Sequence, residues 1–473
     1  MQALQTAVTT TGKIHEAPLP VLSAPDMPGL ANLDAAIAGA IERTWQVPAG
    51  TTTAQWVMGL APGVDPRAVV PAAARITPTP YLPDTYVVEF AAPQAVAAAA
   101  GEFQGAAFYY PLLAHQQTPR FIPNDPLFKN EWHLRNVGQT GGLAGADARV
   151  TPVWDHYTGA GVEIGIVDDG LQYVHPDLSP NYVAADSFDF SGNDFDPAPN
   201  VLWDVHGTSV AGVAAGRGNN GIGVSGAAPD ASLAGLRLFT DDPNGPVPTD
   251  QDEADALSYH RDNIDIYSNS WGPADIGTLG SIGPLALAAL RSNSAAGRNG
   301  LGNIYVWAAG NGRSFKDNVN YDPYANSRFV IAVGAIDHKG KQATYSEPGA
   351  PMLVTAYSNS FAAGAPGITT TDLVGAAGYS AGDYTNDFGG TSSAAPLVSG
   401  VIALMLQANP NLTSRDVQNI LVRTARKNDP GDPGWSKNAA GYHINYKYGF
   451  GAIDAQAAVA LAETWEPVHP ELS

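Results

Sequence analysis

Short apolar runs that stop abruptly at polar or glycine-rich residues recur through the latter part of the chain. Val162–Val167 ends in Asp168-Asp169-Gly170, and Leu233–Leu238, Ile264–Tyr267, Ile304–Ala309 and Val330–Val333 repeat the pattern. Runs that are mostly apolar, rather than alternating, are what strands covered on both faces of a parallel sheet look like. Between them lie helical stretches. One is the small-residue segment Val210–Ala215, another the apolar run Leu397–Leu406. A third opens at Thr413-x-x-Asp416, a capping-box spacing, with Val417, Ile420 and Leu421 on one face. The pattern predicts an α/β domain over residues 121–473 with a doubly wound, mostly parallel sheet. Such sheets carry their functional residues at the carboxyl ends of strands, where Asp168, Ser270 and Asn311 fall.

Residues 1 to about 80 are weakly patterned, with Leu33–Val47 as the one amphipathic helix. Tyr86–Phe90 then reads as a strand, Pro93–Ala100 as a helix with Pro in its first turn, and Ala106–Leu113 as a second strand. This small α+β unit, at about 80–114, is joined to the larger domain by a polar tether, His115–Arg120. The expected boundary is therefore at residue 120.

Charge narrows the range of partners. The 473 residues carry 45 acids against 24 lysines and arginines, a net −21. That balance argues against nucleic acid or an anionic membrane, and fits cations or basic peptides. With no cysteine, neither disulfides nor thiolate metal sites are available. Met1–Leu30 has Lys13 as its one lysine or arginine and no apolar stretch of signal-peptide length, and no segment reads as a membrane span. A soluble, cytoplasmic protein is the expectation.

Candidate chemistry centres on Gly389-Gly390-Thr391-Ser392-Ser393-Ala394-Ala395-Pro396. Two glycines followed by an apolar helix put Ser392 at a helix N-terminus, where free N–H groups and the helix dipole stabilise negative charge. Taken alone, the triplet reads more readily as the cap of a core helix, because such triplets are common. A serine nucleophile also needs an imidazole to take its proton and a carboxylate to orient that imidazole. His206, opening a helix in His206-Gly207-Thr208-Ser209, and Asp168, closing an apolar strand, supply these in the order Asp, His, Ser.

Val167-Asp168-Asp169-Gly170, His206-Gly207-Thr208-Ser209 and Gly390-Thr391-Ser392-Ser393-Ala394-Ala395-Pro396 resemble the three signature blocks of subtilisin-like serine proteases. The doubled acid and the run Tyr267-Ser268-Asn269-Ser270-Trp271-Gly272-Pro273-Ala274-Asp275 resemble the kexin/furin branch. So do Asn124-Asp125-Pro126-Leu127-Phe128 and Tyr448-Gly449-Phe450-Gly451, with bacterial calcium-dependent kexin-like proteases as the nearest type. The resemblance implies a subtilisin-like fold with a prodomain-like N-terminal unit, and an Asp168-His206-Ser392 triad with Asn311 as oxyanion donor. It implies a pocket walled by Ser270, Trp271 and Gly272, with Asp275 and Asp322 at its base, for an Arg or Lys before the cut bond. Asp169 and Asp204 would meet a second basic residue, and Glu253 one further out. Gly280, Ser281 and Ile282 stand where animal convertases carry another acid, which argues against a multibasic requirement.

The same resemblance implies two or three calcium sites. The first takes Asp125, Asp177 and Asn220 with carbonyls of Arg217, Ile222 and Val224. The second takes Asp275, Asp317 and Glu347, and the third Asp189, Asp194 and Asp196. It further implies protein or peptide substrates with basic residues, an N-terminal segment that blocks the cleft, and self-processing at Arg120-Phe121. The P domain usual in the branch is not expected here. A broad-specificity subtilisin-type protease is the alternative, and a catalytically silent calcium-binding module a more distant one.

Overall fold

The larger sheet is built from the apolar runs. In the computed structural model, which describes residues 24–45, 47, 51–113 and 121–468, the chain divides into two units, Met1–Thr118 and Pro119–Ser473.

The first unit holds helix α1 (Ala35–Arg43), one-turn helices α2 (Pro66–Val69) and α3 (Val96–Ala99), and strands β1 (Thr52–Gly59), β2 (Arg75–Pro78), β3 (Thr85–Ala95) and β4 (Phe108–Pro111). The strands form an antiparallel sheet in the order β2-β3-β1-β4. Sequence patterning anticipated β3, β4 and α1 but neither β1, one of the two inner strands, nor the edge strand β2. Of the helix expected at Pro93–Ala100, the first three residues instead continue β3, Val96–Ala99 is α-helical, and a 3-10 turn begins at Ala100. The tether and Arg120 lie outside the described residues. A core of Trp45, Trp56, Met58, Phe90, Phe103 and Phe108 closes the unit, with Trp45 and Trp56 rings 5.7 Å apart.

In the second unit a seven-stranded parallel sheet takes in β5 (Glu163–Asp168), β6 (Phe188–Asp189), β7 (Ser232–Arg237), β8 (Ile266–Asn269), β9 (Ile304–Ala308), β10 (Val330–Ile336) and β11 (Met352–Tyr357). Its order is β11-β10-β9-β8-β5-β7-β6. The chain turns outward from β5 in both directions, so a crevice opens beyond the carboxyl ends of β5 and β8.

Helices cover both faces. Apolar faces of α4 (His206–Ala215), α7 (Thr391–Ala408), α8 (Ser414–Thr424) and α9 (Ala455–Ala462) form one core with the sheet, and α5 (Asp250–Ala256) and α6 (Pro284–Gly300) help form the other. Helices α4 and α7 pack on one another closely enough that a Cβ at Gly400 would lie 2.7 Å from the Ala214 carbonyl oxygen. Helix α7 is long and apolar enough to cross a membrane, and here 89% of that window is buried in the protein. The Thr413–Asp416 capping box forms as the sequence anticipates. A hairpin of β12 (Ile368–Thr371) and β13 (Tyr384–Phe388) leads into α7.

Candidate active site

Asp168 is the last residue of β5, His206 the first of α4 and Ser392 the second of α7. Strand end and helix starts converge on the crevice. Gly390, just ahead of α7, has φ +74°, a conformation glycine adopts without strain. Pro396 has no N–H, so the carbonyl of Ser392, four residues earlier, lacks a helical donor. Ser270 Oγ donates to it at 3.0 Å, and Ser392 Oγ donates to the Ser270 carbonyl at 3.3 Å. The second bond is long for a hydroxyl donor. Ser392 Oγ can therefore turn to an imidazole at small cost.

His206 Nδ1 lies 2.8 Å from Asp168 Oδ1, which also accepts the Asp169 N–H at 2.9 Å. Asp168 is fully buried, and its Oδ2 has no hydrogen-bond partner. The Phe388 ring packs edge-on against the imidazole, centroids 5.5 Å apart. Burial alone would pull the imidazole pKa down, but the carboxylates of Asp168, Asp169 and Asp241 push it up to about 9. Only neutral imidazole can act as the base. If His206 has that role, kcat/KM should rise with pH along a limb centred above the free-imidazole value of about 6.5. Asp241→Asn should move that limb to lower pH. Asp241 is exposed and binds Asp204 through its backbone N–H, so this exchange leaves the fold in place. An unmoved limb would refute the coupling.

Asn311 follows the end of β9. Its Oδ1 accepts the Thr391 N–H at 2.9 Å and the Thr391 hydroxyl at 3.1 Å, which leaves Nδ2 as the donor it can offer a ligand. Thr391 was not singled out in the sequence, although its place beside the serine was a signal. The Ser392 N–H has no protein acceptor among the described residues, so two donors stand beside the hydroxyl.

Trp271 walls the pocket region and is itself boxed by Trp307 (4.7 Å) and Tyr324 (5.1 Å). A Cβ at Gly272 would lie 2.9 Å from Asp322 Oδ2, so glycine leaves this carboxylate facing bare backbone. Asp322 Oδ1 accepts the Tyr324 and Ala325 N–H groups. Burial, with the charges of Asp275 and Asp317, lifts its carboxyl to about 6. Glu253 Oε2 accepts the Tyr324 hydroxyl at 2.7 Å, at the outer end of the same aromatic cluster.

Three of the acids expected to meet substrate or cation sit elsewhere. Asp169 is buried and caps α4, accepting the His206 N–H (2.9 Å) and the Gly207 N–H (2.7 Å). It holds the backbone of His206 and Gly207 instead of facing a substrate side chain. Asp204 and Asp189 are buried on either side of Arg237, whose Nη2 and Nη1 reach them at 2.8 Å each. Asp204 also accepts the Thr240 hydroxyl and the Asp241 N–H. The guanidinium therefore takes Asp204 from the second-residue pocket and Asp189 from the third calcium site. Asp194 and Asp196 cap successive turns of that loop and do not join Asp189 in a ligand cluster.

The other two acid groups do assemble. Carboxylate oxygens of Asp275, Asp317 and Glu347 lie within 4.8 Å of one another, the one such trio of His or acid ligands among the described residues. They accept the N–H groups of Asn311, Gly277 and Gly312 respectively. Burial, then mutual repulsion, raises Asp275 and lifts Glu347 to about 8. Oxygen-only donors in this number fit a hard cation such as calcium, which would relieve that repulsion. Asp125, Asp177 and Asn220 also meet. Asn220 donates its N–H to Asp125 Oδ1 at 3.1 Å and its Nδ2 to Asp177 Oδ1 at 2.8 Å. Val224 donates its N–H to Asp177 Oδ2, and Arg217 and Ile222 lie on the same loop.

A parallel α/β sheet with a buried acid, an imidazole and a helix-start serine at its carboxyl edge is the arrangement that serine hydrolases of the acyl-transfer class use. Residues 159–451 match the subtilase family (Peptidase_S8). The chain belongs to that family. It is 45% identical over 351 residues to a PC3-like endoprotease of Hydra vulgaris, 41% over 353 to human neuroendocrine convertase 2 and 42% over 354 to the kexin of Saccharomyces cerevisiae. These matches cover 73%, 73% and 74% of this chain and 48%, 53% and 41% of the relatives, so the chain spans about half the length of the curated relatives it matches. The solved serine protease of Aeromonas sobria superposes with a TM-score of 0.69 at 29% identity, covering 75% of this chain and 70% of that one. The relatives are of the kexin/furin branch.

Proposed function

We propose that this chain is a calcium-dependent serine endopeptidase that cuts after Arg or Lys. The observation that carries the reaction type is the 2.8 Å contact between His206 and buried Asp168, set beside a serine at a helix start. In the first half-reaction Ser392 Oγ bonds to the scissile carbonyl carbon while its proton passes to His206 Nε2. Negative charge moves to the carbonyl oxygen, within reach of Asn311 Nδ2 and the Ser392 N–H. As the carbon–nitrogen bond breaks, His206 returns the proton to the leaving amine. Water then repeats the sequence on the acyl-enzyme. Asp168 holds Nδ1 and stabilises the imidazolium throughout.

Asp322 against bare Gly272 supports the basic preference, since Asp275 is drawn into the cation trio. Peptides differing only at the residue before the cut bond test it. Arg and Lys should be preferred over Leu and Phe, and Ser392→Ala should abolish cleavage and phosphonate labelling. Cleavage that persists in that variant would refute the serine mechanism, and a Leu preference would refute the pocket.

Calcium would be held by Asp275, Asp317 and Glu347, and at the second place by Asp125, Asp177 and Asn220. Bound there, it supplies countercharge to the carboxylates that anchor the Asn311 loop. Chelation should lower the unfolding midpoint. A cation at a hundred times its Kd stabilises by about 2.7 kcal/mol, roughly 4 °C for a domain of this size. Calcium should restore the midpoint, and less well in Glu347→Gln. A midpoint indifferent to chelator would refute the claim.

The chain is further proposed to be made as a zymogen whose N-terminal unit blocks the cleft. Support for processing at Arg120-Phe121 comes from Phe121, whose N–H donates to Asp155 Oδ1 at 2.9 Å. After cleavage the same nitrogen would be an ammonium facing that carboxylate.

A further inference from the structure

Strand β11 ends at Tyr357, which puts Ser358 and Asn359 at the carboxyl edge of the sheet, against the turn that leads into Ser392. Ser358 Oγ donates to the Gly390 carbonyl at 2.7 Å, and the Gly390 N–H donates to Asn359 Oδ1 at 3.1 Å. Both polar groups of that glycine are therefore held by side chains. The fit is close, since a Cβ at Gly389 would lie 2.0 Å from Asn359 Cγ. Ser393 Oγ, 2.6 Å from Ser358 Oγ, carries the network into the first turn of α7.

One tyrosine meets both holders. The Tyr345 hydroxyl lies 2.8 Å from Asn359 Oδ1, 2.9 Å from the Asn359 carbonyl oxygen and 3.0 Å from Ser358 Oγ. Each hydroxyl has a single proton. Tyr345 gives its proton to Asn359, Ser393 to Ser358 and Ser358 to the Gly390 carbonyl, so every proton has an acceptor. Tyr345, Ser358 and Ser393 are buried, where a lost bond is not replaced by water. The backbone of the same segment faces the other oxyanion donor. The Tyr345 carbonyl accepts the Arg313 N–H at 3.2 Å, and Glu347 Oε1, two residues on, accepts the Gly312 N–H at 2.9 Å. A single short segment thus braces the loop that carries Asn311 and the turn that carries the Ser392 N–H.

We infer that Tyr345 is a positioning residue of the acyl-transfer site, fixing the spacing between Asn311 Nδ2 and the Ser392 N–H. This rests on the serine-endopeptidase reading above. Oxyanion donors act fully only when charge develops on the carbonyl oxygen, so misplacing them slows turnover more than it weakens binding.

Steady-state kinetics of the full chain on a peptide cut after Arg test the inference. Tyr345→Phe should lower kcat about 10–100-fold, the scale of a misplaced reacting group, with KM within about twofold. The acid limb of kcat/KM should stay in place, because the network bears on Gly390 and not on the imidazole. Ser358→Ala should give the same split, and it carries the test alone if Tyr345→Phe does not fold. The double variant should lose less than the product of the single losses, because both side chains hold one peptide. Tyr305→Phe is the structural control. Its hydroxyl is also buried, bonded to the Leu257 carbonyl at 2.6 Å near the amino end of β9, so its loss should lower the unfolding midpoint with kcat unchanged. Unchanged kcat in Ser358→Ala, or a loss carried by KM, would overturn the inference while Ser392 still takes the phosphonate label. A parent protein that neither cleaves nor labels would overturn the serine reading and this inference with it.

Discussion

Asp168→Asn should lower kcat about 10⁴-fold at neutral pH, close to 5 kcal/mol of barrier, with the unfolding midpoint little changed. Side-chain volume is conserved, so the loss is chemical. Asp168 Oδ1 faces both His206 Nδ1 and the Asp169 N–H, while Oδ2 lies buried without a partner. If the new amide nitrogen takes the Oδ1 place, it opposes the Asp169 N–H and drives the imidazole to the tautomer that cannot accept the serine proton. In the Oδ2 place its two N–H groups are buried unpaired. Either way the largest of the charges that raise His206 above an ordinary imidazole is gone, so the residual activity should show its acid limb at lower pH. A fall of less than tenfold would mean that Asp168 does not orient the base.

What could be read in advance was whatever depends on short stretches. Runs apolar on both faces located the strands, the Gly-Gly turn ahead of an apolar helix located Ser392, and Thr413-x-x-Asp416 located a cap that forms as expected. Burial partners separated by long stretches of chain were not legible. Arg237 is a single charge inside the run Leu233–Leu238, and a charge on a buried strand must find countercharge. That was a usable sign that two acids elsewhere were already committed. Asp189 and Asp204, 48 and 33 residues away, are those acids. Strand β1, an inner strand of the smaller sheet, escaped for another reason. Thr52–Gly59 buries Thr53, Trp56, Val57 and Met58, so burial does not alternate along it, and its fit comes from pairing with β3 and β4.

The proposed cation ligands and the proposed oxyanion donor share a backbone. Asp275 and Glu347 accept the N–H groups of Asn311 and Gly312, and Thr391 fixes the Asn311 amide from the other side. Repulsion among the three acids is therefore borne by the loop that presents Nδ2. Loss of cation should thus reduce turnover as well as stability.

Asp322→Asn should cost Arg and Lys substrates about 10²–10³-fold in kcat/KM, the 2–5 kcal/mol of breaking one buried charge pair. A Leu substrate has no charge to leave unpaired, so it should change far less. Asparagine can keep the Oδ1 bonds from the Tyr324 and Ala325 N–H groups, which separates specificity from folding. A pH effect belongs to the same residue. Its carboxyl is raised to about 6, so it is ionised above that pH and loses charge as pH falls through it. A bound guanidinium favours the ionised form, so selectivity for Arg over Leu should decline at or below pH 6 in the parent protein and be flat in the variant. Gly272→Ala is the steric counterpart, because its Cβ would crowd Asp322 Oδ2 and narrow the slot for every side chain. If Asp322→Asn leaves the Arg-to-Leu ratio unchanged while Gly272→Ala lowers all substrates, the pocket is in place but Asp322 does not select charge, and the broad-specificity alternative holds.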